Sequence, residues 1–308
     1  VEPFVQLPFA QLPAHPTRPH GFFDLPERRV PVWTEHFGDT TASVRVAGSG
    51  PPLLLLHGLM TTGYSYRYVI ERLAQEFTVY VPDLVGCGRS SRPRAAYPPD
   101  QLAEWLDHLV SALGVRGCAV VGNSMGGYLA LDWALRHPRS VKRLLVVHAP
   151  LMPTPRLYAL WLATRLPGAH LLLRWLVQRD VERWAHRNVH YWDESLKSRE
   201  ETREYGEPLA TDSGMYAFFR QLRDTMDVRP LRRLWRALDA RSEAGAHFPI
   251  PLRLLYARRD PMVPPATGHA LLQVLPDADL QWIERGSHFA HVDAVDAFLE
   301  AALPFLRG

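Results

Sequence analysis

The sequence predicts an α/β fold: a doubly wound, mostly parallel sheet interrupted by a long helical insertion. Three observations predict it. Short apolar runs alternate with amphipathic helical segments, the pattern of strands joined by helical crossovers. From about Ala149 to Phe248 the alternation stops and only helical patterns occur; it resumes at Pro249 and Pro251. The chain has 308 residues, 47% of them hydrophobic and 22% charged, enough for one large core.

The first stretch carries Pro3, Pro8, Pro13, Pro16, Pro19 and Pro26. Proline fixes φ and removes a donor, so residues 1–29 are expected to form an arm, extended on the domain or partly disordered. Val32–Phe37 and Ala42–Ala47 read as a hairpin around Gly38-Asp39. Pro52–Leu56 is a run of apolar residues, as a strand buried on both faces requires. Helical spacing over Tyr66–Gln75 is followed by strand-like Phe77–Val81. Pro99–Leu113 predicts a helix with Leu102, Leu106, Leu109, Val110 and Leu113 on one side. Next come Cys118–Val121 as strand, Met125–Arg136 as a helix ended by His137-Pro138, and Val141–Val147 as strand.

In the insertion, helices are expected over Arg156–Leu166, Ala169–Arg187, near Ser213–Thr225 and over Leu231–Arg241. Five of the nine tryptophans fall there: Trp161, Trp175, Trp184, Trp192 and Trp235. Beyond it, Leu252–Tyr256 and Leu280–Ile283 read as strands, and Ala266–Leu275 and Val292–Leu306 as helices. The organisation is thus an arm (1–29), a sheet domain in two pieces (30–148 and 249–308) and a helical insertion (149–248).

Composition excludes several classes. The apolar content is too high for a disordered chain, and two cysteines, Cys87 and Cys118, cannot staple a domain of this size. Of 35 basic residues only Lys142 and Lys197 are lysine. The net charge of +3 is small and the arginines are interspersed with Asp and Glu, so no nucleic-acid partner is expected. The best membrane candidate, Leu157–Val177, is broken by Arg165, Pro167, Gly168, His170 and Arg174, so no transmembrane span is expected. The default compartment is the cytoplasm, with a removed leader left open because the chain starts at Val1.

The strongest chemical signal is Gly122-Asn123-Ser124-Met125-Gly126-Gly127. It fits G-x-S-x-G between a predicted strand and helix. A serine on so tight a turn is strained, and Gly122 and Gly126 remove side chains that would collide with neighbouring backbone. Ser124 is the candidate nucleophile, held at the carboxyl edge of the sheet, where open α/β sheets bind ligands. His57-Gly58-Leu59-Met60 ends an earlier strand. The backbone N–H groups of Leu59 and Met125 are candidate oxyanion donors, each worth roughly 3 kcal/mol. His57 itself reads as a structural hydrogen-bonder. A serine needs a base and the base an orienting acid. Asp260 and His288 each follow a predicted strand and complete the order Ser124, Asp260, His288; His291 is the rival base.

With these pieces the chain resembles the α/β-hydrolase superfamily from Val30 onward. Asp83-Leu84-Val85-Gly86-Cys87-Gly88-Arg89-Ser90 is similar to the family's D-x-x-G-x-G-x-S loop, and the insertion is similar to its cap. The resemblance implies an α/β-hydrolase fold with an inserted helical cap. Haloalkane dehalogenases and epoxide hydrolases of this shape carry Asp at the elbow and dienelactone hydrolases Cys, where this chain has Ser124. The elbow is similar to that of carbon–carbon hydrolases of ring-fission diketones. However, Leu59-Met60-Thr61-Thr62 and Phe289 replace the usual Gly-Pro-Gly and Trp. Perhydrolases and acyltransferases share the triad. The resemblance therefore implies a serine hydrolase of carboxylic esters, with a small apolar ester as partner and no cofactor or metal. Candidate substrate contacts are Trp161, Phe218, Phe219 and Phe289, because ligand pockets are mostly apolar. His186 and His190 share a helical face, but Arg187 stands where a zinc H-E-x-x-H site has Glu.

Overall fold

The computed structural model describes residues 2–308. An eight-stranded sheet is ordered β1-β2-β4-β3-β5-β6-β7-β8. The strands are β1 (Glu27–Thr34), β2 (Gly38–Ala47), β3 (Pro52–Leu56), β4 (Thr78–Pro82), β5 (Cys118–Asn123), β6 (Val141–Val147), β7 (Leu252–Ala257) and β8 (Asp279–Ile283). β1 and β2 pair antiparallel, and β2 pairs antiparallel with β4; every other ladder is parallel.

Period-two side-chain alternation makes two cores. Leu54, Leu56, Val120, Leu144, Val146 and Leu254 face one side. There they meet α2 (Pro99–Leu113), α3 (Met125–Arg136) and α10 (Ala266–Val274). Leu53, Leu55, Val79, Val121, Leu145 and Leu255 face the other. They meet the short α1 (Ile70–Leu73), α11 (Ala290–Asp293) and α12 (Val295–Arg307). This double covering is why β3 reads as unbroken leucine. Between β6 and β7 lie α4 (Pro155–Ala163), α5 (Ala169–Gln178), α6 (Val181–Asn188), α7 (Arg199–Ala210), α8 (Asp212–Asp224) and α9 (Val228–Glu243). Among the described residues no helix is long and apolar enough to cross a membrane.

Four local expectations are corrected. β1 begins at Glu27, inside the stretch assigned to the arm, and Glu35–Phe37 is the turn rather than strand. Glu27 accepts from Ser43 Oγ at 2.8 Å, which holds the strand start, and Pro31 is tolerated because β1 is an edge. The helix expected over Tyr66–Gln75 reduces to a 3-10 turn (Gly63–Tyr66) and the single turn α1. The helix expected over Ala169–Arg187 breaks at Asp180, whose carboxylate caps α6 by accepting from Arg183 N–H at 2.9 Å. Helix α7 carries no apolar stripe to predict it: its buried positions include Glu201, Thr202 and Gly206.

Residues 4–20 contact the segment from α6 to the start of α7, and Phe23 O and Leu25 O accept from Arg45 in β2 (3.2 and 2.6 Å). Phe4 N–H donates to Trp192 O (3.2 Å), and Arg199 and Glu200 N–H donate to Pro13 O and Ala14 O (2.8 and 3.1 Å).

Candidate active site

Strand order explains why distant residues meet. β5, β6, β7 and β8 are consecutive parallel neighbours, so their carboxyl ends share one edge. Ser124 follows β5, Asp260 follows β7 and His288 follows β8.

Ser124 sits at φ 54°, ψ −120°, a conformation L-residues rarely hold. The neighbouring backbone over-determines it. A Cβ on Gly122 would lie 2.6 Å from Gly126 O, and one on Gly126 2.4 Å from Leu56 O. Gly127, which the motif leaves without a role, is equally tight: its Cβ would meet Gly122 O at 2.7 Å. The chain after β3 passes close to the serine, with a Cβ on Gly58 falling 3.1 Å from Ser124 Cβ. Neither Leu59 N–H nor Met125 N–H donates to another group among the described residues, and Met125 opens α3, where the helix dipole favours negative charge.

Asp260 is buried. One oxygen accepts from Met262 and Val263 N–H (2.6 and 2.9 Å) and the other from His288 Nδ1 (2.6 Å). Burial alone would raise its pKa, but the His288 imidazole and the N–H donors override it and hold the carboxyl below the usual range. That bond fixes the His288 tautomer, with the proton on Nδ1. Nε2 is buried and has no partner among the described residues. Asn123 Nδ2 donates to His288 O at 3.0 Å, tying the loop after β8 to the residue beside Ser124. The rival His291 makes no hydrogen bond to Asp260 among the described residues; it is buried with its ring stacked 4.5 Å from Tyr66.

His148 escaped the sequence reading. It ends β6, between the strands that carry Ser124 and Asp260, at φ 52°. Its Nε2 accepts from Ala257 N–H at 2.7 Å and lies 4.0 Å from Asp260 Oδ2; its ring centroid is 5.4 Å from that of His288. Burial lowers its pKa to about 4, so the ring is neutral at ordinary pH. Its position at the carboxyl end of a central strand was the available signal. The ligand atoms of His148, Asp260 and His288 lie within 4.8 Å of one another. Yet the His148 Nε2 lone pair is taken by Ala257 N–H, and His288 Nδ1 carries the proton given to Asp260. Such a donor set does not fit a cation.

His57 binds structurally, its Nε2 accepting from Leu84 N–H at 3.0 Å and its Nδ1 donating to Gly58 O at 2.8 Å. Asp83 shapes the glycine-rich loop by accepting from Gly63 and Arg89 N–H (2.9 and 2.8 Å). Of the expected substrate contacts, Phe218 is buried with Val177, Leu209 and Met215, and Leu59 and Met60 pack against that cluster. Phe289 packs edge-on to Tyr191 at 5.7 Å and to the His288 ring at 5.3 Å. Phe219 faces His170 at 5.9 Å, and Trp161 lies under the Arg165 guanidinium at 4.8 Å. His186 Nε2 bonds Leu7 O (3.0 Å) and His190 Nδ1 bonds Gln6 Nε2 (3.1 Å), so both rings are engaged by the arm.

Comparison with known proteins agrees with this architecture. The chain is 30% identical over 274 residues to a pimeloyl-[acyl-carrier protein] methyl ester esterase of Chromobacterium violaceum, covering 86% of this chain and 97% of that one. Over a shorter stretch of 108 residues it is 40% identical to a 2-hydroxymuconate semialdehyde hydrolase of a Pseudomonas species (33% and 37% covered). The solved structure of the epoxide hydrolase CorEH superposes with a TM-score of 0.76 at 22% identity, over 92% of this chain and 99% of that one, a likeness of fold. The alpha/beta hydrolase fold profile matches residues 51–295, and with this sheet, elbow and strand order the chain belongs to the α/β-hydrolase family.

Proposed function

We propose that the protein is a serine hydrolase that cleaves carboxylic esters with apolar acyl or aromatic groups through an acyl-enzyme. The observation that carries this reading is the 2.6 Å bond from His288 Nδ1 to Asp260, which leaves His288 Nε2 buried and unpartnered on the edge that holds Ser124. Ser124 Oγ attacks the acyl carbonyl and passes its proton to His288 Nε2. Asp260 stabilises the imidazolium. The oxyanion accepts from the N–H groups of Leu59 and Met125. His288 then protonates the departing alcohol and activates the water that releases the acid. No metal or cofactor enters these steps. Helices of residues 149–248 act as a cap over a core of residues 30–148 and 249–308. Phe218 is the best supported substrate contact because its cluster abuts Leu59; Trp161, Phe219 and Phe289 are further candidates. The full-length similarity to a methyl ester esterase supports ester chemistry.

A second reading, hydrolysis of a carbon–carbon bond in a ring-fission diketone, draws on the elbow residues Gly122–Gly127 and on the shorter similarity to the semialdehyde hydrolase. An acyltransferase or perhydrolase would share the acyl-enzyme and differ only in the acceptor.

The test is a panel of p-nitrophenyl esters of graded acyl length beside a vinylogous diketone, run on wild type and Ser124→Ala. Ester turnover with wild type and its loss by at least about a thousandfold in the variant is expected. Turnover of the diketone alone favours the second reading, and ester turnover retained by Ser124→Ala overturns the mechanism. Added alcohol or peroxide separates transfer from hydrolysis by the product formed.

A further inference from the structure

Seven of the ten large apolar side chains exposed on the described chain lie between Tyr158 and Leu176. Leu171, Leu172, Trp175 and Leu176 project from α5 at spacings of one, four and five, which is one side of a helix. Leu162 in α4 and Leu166 in the turn before α5 are exposed as well. Leu171 and Leu172 are each 60% exposed and Trp175 56%. A soluble protein rarely leaves so dense a patch without a use.

The same stretch has a one-sided charge. From Ala149 to Arg179 there are four arginines (Arg156, Arg165, Arg174 and Arg179) and no Asp or Glu, in a chain with 32 acidic residues. Arg165 pairs with Asp227 and Arg174 with Asp212, while Arg156 and Arg179 have no carboxylate partner among the described residues. The Arg179 guanidinium lies 4.7 Å above the Trp175 ring, at the patch margin.

From these observations we infer that the outer face of α4 and α5 docks on an anionic lipid surface. The ten residues of α5 span about 15 Å, half of what a bilayer core demands, so the helix lies in the interface rather than across it. Leucine and tryptophan beneath flanking arginines is the composition of helices that rest at the headgroup level. A protein partner fits less well, because leucine contributes little to the anchoring residues of protein interfaces. The inner side of α5 packs inward instead, where Leu173 and Val177 join the cluster of Leu209, Met215 and Phe218, on which Leu59 and Met60 pack. One helix therefore faces lipid on one side and the neighbourhood of Ser124 on the other.

The experiment is co-sedimentation of the full chain with vesicles of phosphatidylglycerol and phosphatidylcholine, and with phosphatidylcholine alone. Its readout is partitioning, so it stands apart from the catalytic reading. Tighter binding to the anionic vesicles, weakened by salt, is expected. Leu171→Ser/Leu172→Ser/Trp175→Ser should weaken it by at least about tenfold, since burying even one such side chain supports that factor. The control Val5→Ser/Trp33→Ser, altered at exposed apolar residues elsewhere, should bind as wild type. Circular dichroism confirms that both variants fold. Absence of binding to anionic vesicles, equal binding by the patch variant, or a wild-type dimer that the patch variant loses would each overturn the proposal; the last would assign the face to a second copy of the chain.

Discussion

At Ser124 the backbone holds a φ of 54° that only tight packing on both sides sustains. Gly126 supplies that packing by letting α3 start 2.4 Å, measured from a hypothetical Cβ, from Leu56 O. Gly126→Ala has no flexible side chain to push aside, so it should cost about 3 kcal/mol or more or prevent folding; urea unfolding reads the loss. Asn123 acts one residue earlier, through its bond to His288 O. Asn123→Ala should lower kcat about tenfold or more with KM little changed, because it loosens the position of His288, the proposed base, rather than substrate contacts. An equal rise in KM would count against a positioning role. His148 combines a positive φ with a bond from Ala257 N–H. His148→Asn tolerates that φ, whereas His148→Leu leaves the N–H unpaired and should be the less stable by about 1–3 kcal/mol in thermal or urea melts. Burial lowers the pKa values of His57, His148 and His291 below the ordinary histidine range.

Helix α7 is the element whose role was least visible. Its carboxylates reach from the insertion to the sheet domain in sequence: Glu200 accepts from Tyr64 Oη (2.7 Å), Glu201 pairs with buried Arg67 (2.5 Å) and Glu204 takes both Arg89 nitrogens (3.1 and 3.3 Å). Tyr191 also donates to Glu201 at 2.6 Å. A buried ion pair adds little net stability, yet removing one partner strands the other charge. Glu204 shows the cost of burial directly: desolvation outweighs Arg89 and raises its pKa to about 7. The folded state thus holds this proton more tightly than the unfolded chain. The contribution to stability is full below the unfolded carboxylate pKa and falls as pH rises through about 7. Glu204→Gln stays neutral throughout, so its stability relative to wild type should improve from pH 5 to pH 8, by about 1–2 kcal/mol after allowing for the lost Arg89 attraction. Urea midpoints across that range check it, and a difference independent of pH would show that Glu204 is ionised throughout.

Across the whole molecule, the inserted helices share apolar clusters with the sheet domain, and the arm is tied to them by specific polar and aromatic contacts. The arm adds Gln6 Nε2 to His186 O (3.0 Å) and sets Phe9 against the guanidinium groups of Arg199 and Arg183 (3.9 and 5.2 Å). Buried Lys197 sits beneath, paired with Glu194 at 2.6 Å and donating to His186 O at 2.9 Å. Removing residues 1–14 should expose this polar cluster, lower the melting temperature by several degrees and speed proteolysis first near residues 180–200. Cleavage unchanged in that region would mean that the arm adds no restraint.

The alternation of strands and helices, the strained elbow and the order of Ser124, Asp260 and His288 were legible in the sequence because each rests on local periodicity or on a motif with a steric cause. The break at Asp180 and the helix α7 were not, because a cap or an ion pair overrides apolar spacing. The choice of His288 over His291 was already favoured by its place after the Gly-Ser turn. His148 was different: only the strand order, a long-range property, puts β6 between β5 and β7 and so sets this second imidazole against Asp260. Local sequence dictates the fold class and the strained turn at Ser124. Which side chains meet across the sheet edge, and which face of α5 stays uncovered, are set only in the assembled fold, because both depend on contacts between residues far apart in the chain.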